Sequence, residues 1–343
     1  MPTFSIIVPC YNLQSWISAC LESVKTQSFT DWECIVVDDE SRDDSGKIVD
    51  RYADADFRFK VIHKKNGGEG SSRNAGLEIA TGDWVFFLDG DDVMAPDALL
   101  GLAALIQKYP QESLFRFGFK QFEDGAPYPC VCHRGVSGPS VDISKQISYN
   151  DYYVYVWQFL FRRTLIEGMT FDRYKRGADR TFIVPVLCFR ADSFVPTEDV
   201  FYFYRVRQGS AVNSKPSVQV LKDELSHRVD VIQAIDASGK RMSYRKTWWL
   251  ENYCLQGYLS LVEGAETTYS KAEQRDLIAW FYCERRRFAK AKDFSLIGKV
   301  VTHLYAIRLG KLWRKMMRLL LWGCAFAYRV LSYLYRHYIK TGA

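Results

Sequence analysis

The chain has 343 residues, of which 48% are hydrophobic and 25% charged, a balance that excludes an intrinsically disordered protein and accommodates one large or two ordinary domains. The formal net charge is +6, but residues 271–343 hold 16 Lys and Arg against 4 Asp and Glu, so this part is expected to face an anionic partner. Nine scattered cysteines, most of them in apolar runs, favour buried free thiols in a reducing compartment over a zinc knuckle.

The first hundred residues alternate continuous apolar runs with helix-like segments. The runs predict strands at Phe4–Val8, Glu33–Val37, Phe59–His63 and Trp84–Leu88, and the segments between them predict helices at Ser15–Lys25, Ser45–Ala53 and Ser71–Ala80. Such alternation indicates right-handed βαβ units, so we expect an α/β fold with a mostly parallel sheet and helices on both faces. Because the chain enters its first strand at once, we expect no secretory signal and a cytoplasmic location.

Residues 110–210 have a mixed pattern. Aromatic runs predict strands at Leu114–Phe122 and Val200–Arg207, and helices are predicted around Tyr153–Ile166 and from Asp179 onward. Beyond residue 217 the pattern predicts helices alone.

Carboxylates gather directly after the fourth predicted strand, in Asp89-Gly90-Asp91-Asp92. Like charges repel and are costly to desolvate, so folding alone does not favour three of them at the end of a buried strand. A bound divalent cation would relieve the repulsion, and carboxylate oxygens are hard ligands that suit Mg²⁺ or Mn²⁺ and not zinc. The sequence therefore predicts a metal site at Asp89, Asp91 and Asp92, with a solvated acidic turn as the alternative.

Other polar clusters follow the first two predicted strands, at Pro9–Asn12 and Asp38–Ser41. Parallel sheets bind ligands beyond the carboxyl ends of their strands, so these clusters and the acidic turn are expected to form one site. The Asp39 carboxylate suits a hydrogen bond from N3–H of uracil. Asp and Ser also suit the N-cap of a helix, and the two roles are compatible.

A glycine-rich loop, Asn66–Gly76, enters the third predicted helix and carries Arg73. Such loops let the backbone approach phosphate or ribose, and Arg73 adds a fixed cation; the alternative is an ordinary flexible loop. No G-x-G-x-x-G follows the first strand and no P-loop motif occurs in the sequence, so neither a dinucleotide fingerprint nor a P-loop is indicated.

Two further residues are candidates for chemistry. Asp179 opens a helix-like segment and is either a general base for an attacking hydroxyl or an ordinary N-terminal helix residue. Arg207 lies in the basic turn Arg205–Ser210, which either holds a diphosphate or is a solvated loop. His63 and His133 stand alone, so a satisfied side chain is favoured over a ligand for each.

The C-terminal tail, residues 311–340, combines a basic stripe with a broad apolar face. At 100° per residue its charged side chains fall on one side, namely Lys311, Arg314, Lys315, Arg318, Arg329, Arg336 and Lys340. The longest uncharged run is Leu319–Tyr328, whereas a bilayer span needs about 20 residues. We therefore expect a basic amphipathic helix on an anionic membrane surface, with a helix packed on the domain as the alternative.

Four runs in chain order resemble the nucleotide-sugar glycosyltransferases of family 2, which have the GT-A fold. They are F-S-I-I-V-P-C-Y-N, C-I-V-V-D-D-E-S, G-S-S-R-N-A-G and F-F-L-D-G-D-D-V-M-A-P. The resemblance is dense over residues 4–108 and weaker to about residue 210. It implies a Rossmann-like sheet and an inverting transfer that depends on Mn²⁺ or Mg²⁺.

By the same resemblance the donor is a nucleotide sugar, with a UDP-sugar favoured. The basic tail motivates the hypothesis that the acceptor is a glycan or lipid-linked glycan, as in bacterial surface polysaccharide assembly. The enzyme would lie at the inner face of the cell membrane. One rival is a non-catalytic nucleotide-binding protein of the same fold, and the other is a nucleic-acid binder that uses the basic tail. Nucleic acid is not an expected partner, because the broad apolar face of the tail suits lipid better.

The resemblance also implies roles for individual residues. Pro9, Tyr11 and Asn12 line the nucleotide site, Asp39 reads the base, Arg73 supports the nucleotide, Asp89-Gly90-Asp91 is the D-x-D signature, and Asp179 is the catalytic base. Ribose and metal contacts are shared among Asp89, Asp91 and Asp92. In similar proteins a Glu precedes the base, and here Ala178 stands in its place.

The expected domain organisation follows from these assignments. A GT-A catalytic domain occupies residues 1–215, with a nucleotide-sugar half at 1–108 and an acceptor half at 109–215. A helical region at 216–343 carries the tail.

Overall fold

A computed structural model describes residues 2–125, 131–133, 141–142, 155–171 and 178–207, together with short stretches between 217 and 280. By internal contacts the chain divides into two compact units, one of residues 1–147, 153–231 and 240–243 and the other of the remaining residues. The tail at 311–340, on which the membrane prediction rests, lies outside the described residues. No helix in the described part is long and apolar enough to cross a membrane.

The first half of the first unit has the predicted alternation of strands and helices. Its elements are β1 (Phe4–Cys10), α1 (Ile17–Lys25), β2 (Trp32–Asp38), α2 (Ser45–Ala55), β3 (Phe59–His63), α3 (Glu69–Ile79) and β4 (Trp84–Phe87). Strands β1, β2 and β4 are buried along their whole length, as their unbroken apolar runs predict. All four strands are parallel, in the order β3-β2-β1-β4, which confirms the βαβ interpretation.

The second half extends the same sheet with strands of mixed direction. Its elements are β5 (Val93–Met94), α4 (Ala98–Lys108), β6 (Leu114–Glu123), β7 (Val131–His133), β8 (Val141–Asp142), β9 (Phe159–Arg162), α5 (Ala178–Pro185) and β10 (Ser193–Val206). The order continues from β4 through β9, β6 and β10 to β5. Strand β9 runs antiparallel to both β4 and β6, and β10 runs parallel to β6.

The predicted helix at Tyr153–Ile166 is wrong. The described part of this segment contains β9, flanked by single 3₁₀ turns at Val156–Gln158 and Arg163–Leu165. Short apolar runs do not separate buried strand from buried helix by periodicity alone. Here the backbone of β9 bonds to the ladders of β4 and β6, so sheet pairing decides the conformation.

Aromatic rings from neighbouring strands pack beneath the carboxyl end of β4. Phe86 lies parallel to Phe117 with ring centroids 5.5 Å apart, and Trp157 stacks on Tyr202 at 4.4 Å. Aromatic contacts of this kind add about 0.5–1.5 kcal/mol each beyond the apolar area they bury. Phe86 also stacks on Tyr202 at 6.4 Å, so rings join β4, β6 and β10, and the acidic turn after β4 lies beside the end of β10.

Candidate active site

The loops after β1 and β2 are joined by hydrogen bonds. The Asp39 N–H donates to the Cys10 carbonyl at 2.9 Å, and the Arg42 N–H donates to Asn12 Oδ1 at 2.7 Å. Asn12 has φ 53°, a left-handed conformation that Asn tolerates better than most residues. This geometry leaves Tyr11 exposed at the sheet edge, on the same loop as Asn12 and next to Asp39.

Asp39 organises the glycine-rich loop. Its side chain is 3% exposed and accepts hydrogen bonds from the N–H groups of Gly67 at 3.0 Å and Gly68 at 2.7 Å, and from the Lys64 ammonium at 2.6 Å. It does not cap a helix, because the N-cap of α2 is Asp44. Its Oδ1 accepts the Lys64 and Gly67 bonds, and its Oδ2 accepts the Gly68 bond together with a longer one from the Gly67 N–H at 3.2 Å, so a base N–H would take the place of that long bond.

His63 bridges two carboxylates at the end of β3. Its Nδ1 lies 2.9 Å from Asp38 Oδ2 and its Nε2 lies 2.8 Å from Asp50 Oδ1. These bonds, the Asp38 bond first, raise the pKa of His63 above its ordinary value. The expectation of a satisfied histidine is therefore confirmed for His63, and the bridge joins the end of β2 to helix α2.

The His63 bridge is expected to stabilise the fold more in mild acid than in alkali. Because its folded-state pKa is raised, its contribution is complete below about pH 6.5, the ordinary histidine value, and is lost as pH rises through the folded-state pKa. Urea unfolding of wild type and His63→Gln should therefore differ most near pH 5.5 and least near pH 9. The side chain is half exposed, so the effect is modest. A difference that stays constant or widens with pH would contradict this assignment.

Arg73 joins two residues that the sequence singled out 90 positions apart. The side chain is fully buried, and its Nη1 donates to Asp179 Oδ1 at 2.6 Å while its Nη2 donates to Asp89 Oδ1 at 2.7 Å. Glu69, in the first turn of α3, forms a third ion pair with the same guanidinium. One guanidinium thus links the predicted D-x-D motif to the predicted base.

Asp179 lies in the first turn of α5, as predicted, and its side chain is 17% exposed. Its second oxygen accepts a weaker hydrogen bond from the Val156 N–H at 3.2 Å. Both oxygens retain lone pairs, so the carboxylate is oriented and still able to accept a proton.

Asp89 and Asp92 occupy different environments despite their proximity. Burial raises the pKa of Asp89 to about 8, with Arg73 opposing the shift and Glu69 adding to it. Asp92 is 1% exposed, and burial raises its pKa well above the ordinary value. Its two oxygens accept hydrogen bonds from the Tyr202 hydroxyl at 2.5 Å and the Arg205 N–H at 2.7 Å. Asp92 therefore fastens the acidic turn to β10.

Asp91 is surrounded by groups that the sequence placed far away. Arg207 Nε donates to Asp91 Oδ2 at 2.7 Å, and Arg205 Nε donates to the Asp91 carbonyl at 2.7 Å. Within the described residues, no group of three or more His, Cys, Asp and Glu side chains is arranged to hold a metal ion. Asp89 and Asp91 each have one oxygen that lacks a hydrogen-bond partner in that part of the chain.

Gly90 is needed where the acidic turn meets the loop after β1. A Cβ at this position would lie 2.7 Å from the Pro9 carbonyl and 2.8 Å from Leu13 Cδ1, distances that real side chains do not show. The close approach brings Pro9 and the acidic turn to the same edge of the sheet.

The structure also identifies site residues that sequence reasoning did not single out. They are Glu69, which pairs with Arg73, Tyr202, which bonds Asp92, and Trp16 and Asp124, which lie beside the two arginines at Asp91. Their partners are four to more than 100 residues away in sequence, and no local motif marks them.

Comparisons with known proteins agree with this architecture. A family model described as glycosyl transferase family 2 matches residues 5–168. The chain is 34% identical over 192 residues to the uncharacterized glycosyltransferase EpsJ of Bacillus subtilis, covering 52% of this chain and 54% of EpsJ. It is 30% identical over 217 residues to the GalNAc(5)-diNAcBac-PP-undecaprenol beta-1,3-glucosyltransferase of Campylobacter jejuni, covering 61% of this chain and 67% of that protein.

Among solved structures, residues 1–349 of Staphylococcus aureus TarS in complex with UDP-GlcNAc match with a TM-score of 0.70 at 22% identity. The match covers 98% of this chain and 92% of the TarS chain. It confirms the predicted α/β fold of the GT-A type. The chain spans about half of EpsJ and two thirds of the Campylobacter relative.

Proposed function

The chain belongs to glycosyltransferase family 2, and on that basis we propose that it transfers a sugar from a nucleoside-diphosphate sugar, with inversion, to a hydroxyl of a glycan or lipid-linked glycan. One observation carries the proposal: the Arg73 guanidinium bonds both Asp89 of the D-x-D motif and Asp179. A donor bound at the acidic turn would therefore be separated from the candidate base, Asp179, by the Arg73 guanidinium alone.

The donor is proposed to be a UDP-sugar. A uracil N3–H would take the place of the long Gly67 bond on Asp39 Oδ2, and Tyr11 and Asn12 lie on the adjoining loop. Pro9 adjoins the acidic turn, and Arg73 supports the nucleotide indirectly by holding Asp89. The TarS structure with UDP-GlcNAc supports this donor class, and the Campylobacter relative, named for an undecaprenol-linked glycan, supports a lipid-linked glycan acceptor.

A divalent cation, Mn²⁺ or Mg²⁺, fits the acidic turn at Asp89 and Asp91. Each offers one hard oxygen without a partner in the described residues, and such cations take their other ligands readily from phosphate and water. Asp92 is the weaker candidate, because its oxygens are used by Tyr202 and Arg205. When bound, the cation would neutralise charge that develops on the leaving diphosphate.

Asp179 is proposed as the general base. It takes the proton from the acceptor hydroxyl, whose oxygen attacks the anomeric carbon from the face opposite the diphosphate. The C–O bond to the diphosphate breaks as the new glycosidic bond forms, which inverts the configuration. Arg73 and the Val156 N–H keep the carboxylate oriented during this step.

A donor screen with Mn²⁺ tests the proposal through release of the nucleoside diphosphate. We expect one UDP-sugar to be consumed, and we expect both a chelator and Asp91→Asn to lower the rate more than about 100-fold, since a metal contributes several kcal/mol at a developing charge. Asp83→Asn is the matched control, because Asp83 is exposed and precedes β4 at its opposite end. Donor turnover that is indifferent to chelator would refute the cation, and no turnover with any donor would favour a non-catalytic nucleotide-binding protein.

The basic tail at 311–340 is proposed to bring the enzyme to an anionic membrane surface, where a lipid-linked acceptor would lie. Its single basic stripe and broad apolar face support lipid over nucleic acid. Flotation with anionic liposomes, with and without residues 311–343, tests this proposal. The full-length protein should float with the liposomes and the truncated protein should not; equal flotation of the two proteins would refute the role of the tail.

A further inference from the structure

Two arginines from the end of β10 converge on Asp91, and a tryptophan lies against one of them. Arg207 Nε donates to Asp91 Oδ2 at 2.7 Å, while its guanidinium carbon lies 4.4 Å from the ring centroid of Trp16. The Arg207 side chain is 18% exposed, so the alternative interpretation of a solvated loop residue does not describe it. Trp16 itself is the N-cap residue of α1, a helix that starts next to the loop after β1.

Trp16 is held in place by its own hydrogen bond. Its indole N–H donates to Asp124 Oδ2 at 3.0 Å, and Asp124 Oδ1 accepts from Arg205 Nη1 at 2.8 Å. Arg205 in turn bonds the Asp91 carbonyl at 2.7 Å. The ring of contacts therefore closes on the acidic turn, and it ties the indole plane to the turn that is proposed to bind the cation.

The contact between Arg207 and Trp16 differs in kind from its contact with Asp91. An aromatic face attracts a guanidinium through its whole plane and uses none of its N–H donors. The bond to Asp91 uses Nε–H directed at a specific oxygen. Loss of the Asp91 bond would therefore release the Nε–H of Arg207 while the guanidinium stays on the indole.

Asp91 would lose the Arg207 bond when it holds a divalent cation, because its negative charge would then be shared with the ion and Arg207 would be repelled. The diphosphate of a nucleotide sugar would offer Arg207 oxygens that match the donor geometry of arginine. Taking the proposed function as its basis, we propose that Trp16 is a positioning residue on which Arg207 exchanges Asp91 for the donor diphosphate.

UDP binding measured by calorimetry in Mn²⁺ tests this exchange, using wild type, Trp16→Leu, Arg207→Gln and the double variant. We expect Arg207→Gln to weaken UDP binding about 10-fold or more and Trp16→Leu to weaken it about 3- to 10-fold. The double variant should bind no more weakly than Arg207→Gln alone, because Trp16 acts through Arg207. Additive losses in the double variant would overturn the proposal.

A second measurement has the opposite sign. With Mn²⁺ alone, Arg207→Gln should bind the ion about two- to five-fold more tightly than wild type, since the arginine no longer competes for Asp91. Unchanged or weaker Mn²⁺ binding would also overturn the exchange. A structural defect would lower the affinities for both UDP and Mn²⁺. Weaker UDP binding with tighter Mn²⁺ binding therefore separates a positioning role from misfolding.

Two controls complete the series. Trp16→Phe keeps an aromatic face and should stay within about threefold of wild type for UDP. Tyr109→Leu removes a comparable half-buried ring, beside Lys108 at the end of α4, and should leave UDP binding unchanged. Wild type that binds Mn²⁺ but no UDP would refute the proposed donor as well, whereas normal UDP binding with additive variants refutes the role of Trp16 alone.

Discussion

Asp179→Asn is expected to lower turnover by about 10²–10⁴-fold while leaving UDP affinity near that of wild type. The amide retains an oxygen that can accept the Arg73 hydrogen bond, which is the shorter of the two hydrogen bonds made by the Asp179 side chain. What it loses is the ability to take a proton from the acceptor hydroxyl. The nucleotide contacts proposed at Asp39 and the acidic turn are on other strands and are not altered.

The measurement is sugar transfer under donor saturation, with UDP affinity determined separately by calorimetry. Asp192→Asn is the matched control, because Asp192 is an exposed carboxylate just before β10 and contacts none of the site residues described above. Wild-type turnover in Asp179→Asn would show that another group accepts the proton. A parallel loss of turnover and UDP affinity would instead assign Asp179 to donor binding.

Arg73→Ala is expected to destabilise the protein by about 3–5 kcal/mol, the cost typical of removing one partner from a buried ion pair. Asp89 and Asp179 would lose the cation that faces both of them, and Glu69 would lose its partner. The pKa of Asp89 is already raised to about 8, and it rises further without Arg73. The wild-type carboxyl ionises near pH 8 and that of the variant only at higher pH, so the extra destabilisation of the variant grows as pH rises above about 8.

Urea unfolding at pH 6 and pH 8.5 measures both effects. Arg73→Lys is the informative comparison, because lysine keeps the charge but lacks the planar guanidinium that bonds Asp89 and Asp179 together. Its unfolding midpoint should lie between those of Arg73→Ala and wild type. An Arg73→Ala midpoint equal to that of wild type at both pH values would show that the three carboxylates need no cation, and the linking role would be withdrawn.

The sequence predicted the parallel half of the sheet well because its signals are local. Continuous apolar runs identify β1, β2 and β4. Three carboxylates directly after the buried strand β4 indicate a functional site, because charges at such a place are costly to desolvate. Asp179 was placed correctly in the first turn of a helix. Its role as base came from resemblance and stays a prediction.

Other features depend on packing between distant segments and could not be predicted. The segment of β9 has a short apolar run whose conformation is decided by β4 and β6 on either side of it. Asp92 was grouped with the metal ligands because of its neighbours, but its bond to Tyr202 spans 110 positions. The contact of Trp16 with Asp124 spans 108 positions and has no sequence signature.

Strand β9 has a consequence for how the two predicted halves, 1–108 and 109–215, can move. It is hydrogen-bonded to β4 of the first half and to β6 of the second, and β10 returns to pair with β5 beside the acidic turn. Hinge closure requires a boundary that few bonds cross, and here backbone ladders cross it repeatedly. The halves are therefore interwoven and not exchangeable modules, so a chimera joined at residue 108 would break the sheet, and any gating of substrate entry falls to loops at the rim.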